Sequence, residues 1–93
     1  MRTRFHSPLR LFRCRGRALL SYALPGESRV SLEVYATDGR LVRTLADEYQ
    51  VSGSHQAVWD DCDDLDRVSG HGVYYCRLQA GALDATTKLV KIE

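Results

Sequence analysis

Residues 30–45 read VSLEVYATDGRLVRTL. Val30, Leu32, Val34 and Ala36 alternate with Ser31, Glu33 and Tyr35, the period of a strand that buries one face. Thr37-Asp38-Gly39-Arg40 then interrupts the run, and the return strand begins at "RLVRTLA". Asp-Gly between two apolar runs signals a tight hairpin, because both central residues of a type I′ turn need positive φ.

Outward from this hairpin, short alternating runs recur, broken by turn chemistry at intervals of roughly 8 to 15 residues, as in an all-β sandwich. "ALLSYAL" (18–24) stops at Pro25-Gly26, which cannot continue a ladder. "HQAVWD" (55–60) puts His55, Ala57 and Trp59 on one face. "GVYYCRLQA" (72–80) puts Gly72, Tyr74, Cys76 and Leu78 on one face and Val73, Tyr75 and Arg77 on the other. Gly81 marks a turn, and "LDATTKLVKIE" (83–93) supplies the last strand. The polar "DEYQVSGSH" (47–55) reads as a loop, and "DDCDDLDRVSGHG" (60–72) as a long exposed connection with room for a short edge strand near Leu65 to Val68. These six strands and the candidate seventh predict an all-β, immunoglobulin-like β-sandwich of about seven antiparallel strands.

Ninety-three residues allow one small core, and no apolar run approaches the roughly 18 residues a membrane span needs. Charge is divided unevenly along the chain. Residues 1–17 hold six arginines and no acid, while the other 76 hold seven basic residues against all twelve acids. We read 1–17 as an arginine-rich leader, disordered or non-native, and 18–93 as the domain. Clustered arginines suit phosphates, but a solvated extension is the plainer reading and nucleic acid is not the favoured partner. Arginines interrupt Phe5, Leu9, Leu11 and Phe12, so the chain has no signal-peptide core.

"GVYYCRL" (72–78) resembles the immunoglobulin strand that carries the second cysteine of the inter-sheet disulfide. The spacing of the remaining cysteines does not fit: Cys14 lies in the leader, 45 residues before Trp59, and Cys76 only 17 after it. Cys76 is therefore read as a small buried hydrophobe. Cys62 is the one bridge partner worth testing, and closing that loop would be worth about 3 kcal/mol. Without C-x-x-C spacing, zinc is not expected.

Taken in series, "LSYALP" (20–25), "VSLEVYATDGRLVRTL" (30–45), "SGSHQAVWD" (52–60), "GVYYCRLQAG" (72–81) and "TTKLVKIE" (86–93) resemble the C-terminal sorting-type domain of bacterial secreted and surface proteins. That domain is similar to the immunoglobulin-like domain of the flagellar hook-capping protein FlgD. The resemblance implies a non-catalytic C-terminal sorting or surface-attachment module, read by type IX secretion machinery. The alternative it implies is a structural, assembly module packing against parent or neighbouring subunits. It also implies a secreted or cell-surface location within a larger parent protein, with "KLVKIE" as the true end and the missing sequence upstream. The Asn-Pro-Phe-Asn-like segment that members carry before the first strand is replaced by "LFRCRGRA", which marks residues 1–17 as a mis-set start or the remnant of a truncated gene.

Asp60, Asp61, Asp63, Asp64 and Asp66 form the one cluster with possible chemistry, since calcium takes about six to eight oxygen ligands. The spacing is not an EF-hand's, and a solvated acidic loop is the reading adopted. His6, His55 and His71 are isolated, and there is no Gly-x-Ser-x-Gly elbow or glycine-rich phosphate loop. The sequence thus predicts no catalytic, cofactor-binding or metal-binding residues and no small-molecule substrate. Tyr22, Trp59 and Tyr74 are assigned to the core, and Tyr35 and Tyr75 to an outer surface.

Overall fold

The structure, a computed structural model, describes residues 8–14 and 16–92. Seven strands are described: β1 (Leu9–Cys14), β2 (Arg17–Leu24), β3 (Ser28–Ala36), β4 (Leu41–Gln50), β5 (Gly53–Trp59), β6 (Gly72–Ala80) and β7 (Leu83–Lys91). All pairings are antiparallel, in one sheet of order β1-β2-β5 and another of order β4-β3-β6-β7. The chain crosses between sheets at Pro25-Gly26, at Val51-Ser52 and through residues 60–71. The predicted all-β sandwich is what forms.

The seventh strand is not where the sequence pointed. Near Leu65 to Val68 there is only a single bridge, Cys62 to Val68. The extra strand is β1, inside the segment read as a solvated leader, and its register runs from Leu9↔Tyr22 to Cys14↔Arg17. Arginines mask its alternation: Leu9 is buried, Leu11 half-buried, and the next residue of that parity, Arg13, reaches the carboxylate of Asp61 at 3.1 Å. The sandwich therefore takes in Leu9–Cys14 as well as the stretch from 18 onward, while residues 1–7 and Arg15 lie outside the described residues.

The hairpin also closes differently. Of its turn residues only Gly39 has positive φ, at 87°. The Gly39 N–H donates to the Ala36 carbonyl at 3.0 Å and the Ala36 N–H to the Arg40 carbonyl at 2.9 Å. That is a three-residue loop, a type I turn followed by a left-handed glycine, and the Asp38 carboxylate accepts the Arg40 N–H at 3.0 Å. β4 then carries two register shifts against β3, opposite Leu32/Glu33 and Val34/Tyr35. It also continues through "DEYQ", the stretch read as loop, because Ser28, Arg29 and Val30 pair with Gln50, Tyr49 and Glu48. An edge strand exposed to water tolerates polar residues that hide its period.

The core takes Leu9, Ala18, Leu20, Tyr22, Leu24 and Trp59 from one sheet and Val30, Leu32, Val34, Val42, Tyr74, Cys76, Leu78, Ala80 and Leu89 from the other. Trp59, fully buried, meets Tyr74 edge-on at 5.3 Å, and its indole N–H donates to the Cys62 carbonyl at 2.8 Å. Buried rings of this kind keep their polar atoms only when each finds a partner, and the Tyr74 hydroxyl donates to the Gly70 carbonyl at 2.6 Å. Both bonds lead into the 60–71 connection, so the core itself fixes that loop.

Candidate functional site

The five aspartates of the connection point in different directions. Asp61, 4% exposed, takes a positive φ of 66° and faces inward between β1 and β7, with Arg13 at 3.1 Å and Lys91 Nζ at 3.8 Å. Lys91, itself 6% exposed, also donates to the Ser69 carbonyl. Asp63 accepts the Leu65 and Arg67 N–H groups, both at 2.9 Å, and the Arg67 Nε at 3.0 Å. These donors, led by the Arg67 N–H, hold its carboxyl below the usual carboxylate range. Asp64 accepts the Thr44 N–H at 3.2 Å, and Asp60 the Cys62 N–H at 3.1 Å. Arg43 crosses beneath the loop, with Asp60 at 3.4 Å, Asp64 at 3.7 Å and the Cys62 and Asp63 carbonyls each at 3.3 Å.

The acidic segment is thus a bonded cap rather than a freely solvated loop. Among the described residues, the one group whose ligand atoms converge is Asp60, Cys62 and Asp66, within 4.8 Å of one another. Two exposed carboxylates and a thiol do not make the oxygen shell calcium requires. Partial burial and the adjacent Asp60 and Asp66 push the Cys62 thiol up. Asp61, Asp63 and Asp64 are already committed to the chain's own donors.

Cys62 and Cys76 are both free thiols. Cys76 lies in the core, and burial pushes its thiol up to about 12. His55 stacks on Tyr22 at 5.6 Å and donates from Nε2 to the Val51 carbonyl at 2.7 Å, so it packs and ties a turn. His71 is exposed, and His6 lies outside the described residues.

The outward faces differ in chemistry. On the four-stranded sheet, Tyr35 and Tyr75 share the outer surface to which the alternation assigned them, and the register pairs them directly. Leu41 lies beyond Tyr35, Lys88 pairs with Tyr75 on its other side, and Val73 pairs with Val90 one row away, so an aromatic and aliphatic patch with a lysine at its margin forms at that end. Ile92, past the end of β7, is 80% exposed. The other end is charged, with an Arg77–Asp84 ion pair at 2.9 Å and Glu33 accepting the Tyr35 hydroxyl. On the three-stranded sheet the register aligns Phe12, Leu19 and Val58 in one row. No acid occurs in β1, β2 or β5. Sequence reasoning missed the Arg13–Asp61–Lys91 cluster and the role of Arg43, since pairs so distant in the chain leave no local spacing.

This architecture belongs to the class of immunoglobulin-like β-sandwich domains. Within that class the chain is similar to the crystal structure of FlgD from P. aeruginosa, with a TM-score of 0.62 and 27% identity over 80% of this chain. The match spans 58% of the FlgD chain. No family model and no curated protein matches the sequence. Among the described residues no helix is long and apolar enough to cross a membrane.

Proposed function

We propose that this domain is a non-catalytic assembly module of a larger exported bacterial protein, one that docks against parent or neighbouring subunits. The observation that carries this reading is the likeness to FlgD at 27% identity. The patch around Tyr35 and Tyr75, bordered by Lys88, is the surface best suited to such docking, since outward-facing aromatics give large contact area at low entropic cost. The sorting-module reading rests on the sequence resemblance alone and stands second. A surface or extracellular location goes with either.

One experiment separates the two. The 93-residue chain is fused behind an exported reporter and expressed in a type IX-competent host, as wild type and as Tyr35→Lys/Tyr75→Lys. An assembly module places the wild-type fusion in high-mass complexes that the double variant loses. Delivery of a monomeric reporter to the cell surface, equal for both forms, supports sorting and counts against assembly.

A further inference from the structure

The two sheets leave four strand edges, and three of them carry devices that oppose pairing with another chain. β4 is broken by two register shifts, while its Val42 carbonyl and Thr44 N–H are taken by Asp64. β7 carries Asp84, Lys88 and the inward Lys91, and β1 carries Arg10 and the inward-reaching Arg13. β5 has none of these. Its sequence, GSHQAVW, contains no charged residue and no proline, and it pairs with β2 without a register shift. Among the described residues no backbone group outside β2 bonds to it. His55 and Ala57, on its inner face, stay half-buried because no strand lies beyond them.

We propose that β5 is the site where a second copy of this chain adds, antiparallel about a two-fold axis, to give a continuous sheet of order β1-β2-β5-β5-β2-β1. The proposal rests on the assembly reading and names its surface and partner. β5 offers no charge for an acidic or basic peptide to complement, whereas two copies of β5 oppose no like charges. With Gln56 facing its own counterpart, the whole strand overlaps, and Ser54 lies opposite the partner subunit's Val58. This register keeps His55, Ala57 and Trp59 on the core side in both copies, which a one-residue slip would not. It also covers the half-buried His55 and Ala57, and a two-fold arrangement closes without forming filaments.

Charge substitution at the axis tests this. Gln56 is exposed, so Gln56→Lys and Gln56→Glu leave the core intact. Sedimentation velocity of the full chain, from micromolar to submillimolar, is expected to show wild type moving from monomer to dimer. Each variant alone should dimerise about fivefold more weakly, because like charges then sit directly opposite, and an equimolar mixture should recover the wild-type affinity. As a second measurement, Gln56→Cys with Cys14→Ser and Cys62→Ser should cross-link as a dimer on mild oxidation, while Gln79→Cys in the same background should not. A wild type that stays monomeric overturns the pairing but leaves assembly with a different protein standing. Dimers that persist equally in both Gln56 variants and dissolve in Tyr75→Lys also overturn it, and keep the assembly reading through the four-stranded face.

Discussion

The two flanks of the sandwich are held by different chemistry. Where β1 and β7 approach each other, Asp61 sits between Arg13 and Lys91 in an ionic cluster that takes one member each from an edge strand, a loop and the opposite edge strand. Where β4 and β5 approach, the charges are more open to water: Arg43 of β4 lies 3.4 Å from Asp60, just past β5, and 3.7 Å from Asp64 of the loop. β4 is tied to the loop by Asp64 and Arg43, and β5 is held from inside by Trp59. Charge on the first flank both joins the sheets and discourages foreign strands. On the second, the charges tie β4 to the loop while Trp59 packs beneath β5, which leaves the β5 edge open.

The first way to break this contrast is to empty the aromatic flank. Trp59→Ala removes a fully buried indole and the bond to the Cys62 carbonyl, and is expected to cost about 3 to 5 kcal/mol. For a domain this small, with roughly 5 to 10 kcal/mol in total, urea unfolding should show little folded baseline. An unchanged midpoint would mean that β5 is not held by its core face.

The ionic flank should come next. Asp61→Asn keeps a side chain that tolerates the positive φ but leaves Lys91 buried without its counter-charge, at a cost of about 3 kcal/mol. Lys91→Met should cost about 1 kcal/mol or less, because Asp61 retains Arg13 and an apolar chain replaces a buried ion. Thermal melts read both. Equal losses from the two variants would show that the cluster acts as independent surface pairs. Arg43→Met, on the other flank, gives up hydrogen bonds to the Cys62 and Asp63 carbonyls and should cost about 1 to 2 kcal/mol.

The same contrast explains what the sequence could and could not convey. β3, β6 and the end of β5 were legible because their periods are local: Val30, Leu32 and Val34, Tyr74, Cys76 and Leu78, and Ala57 with Trp59 all sit at intervals of two with an apolar side facing in. The Tyr35–Tyr75 pairing was legible as parity, though only the register brings the two together. β1 was hidden because Arg13 breaks the apolar period at the parity of Leu9 and Leu11, and its partner there, Asp61, lies 48 residues on. The β4 continuation was hidden for the opposite reason: its outer residues meet water and need no apolar period. The acidic loop looked solvated because its partners, Arg13, Arg43 and Lys91, are scattered along the chain.

The smallest expected effect lies inside the loop that joins the two flanks. The Asp63 carboxyl titrates below its ordinary value of 3.8 because the Arg67 and Leu65 N–H groups and the Arg67 guanidinium favour its charged form. A carboxyl depressed on folding contributes its full stability above the unfolded pKa and loses that contribution as pH falls through the folded one. The domain should therefore lose stability on acidification below about pH 4, and Asp63→Asn should be less stable than wild type at neutral pH yet flatter in this acid range. Asp84, lowered mainly by its hydrogen bond to Arg77, adds a second contribution of the same sign on the four-stranded face. Acid titrations of Asp63→Asn and Asp84→Asn, followed by tryptophan fluorescence, separate the two: Trp59 bonds into the loop through Cys62, so emission should respond earlier when Asp63 is the group that titrates. Identical acid profiles for wild type and Asp63→Asn would mean that the loop is fixed by its ties to Trp59, Tyr74, Arg43 and Lys91, and the local turn around Asp63 adds nothing to either flank.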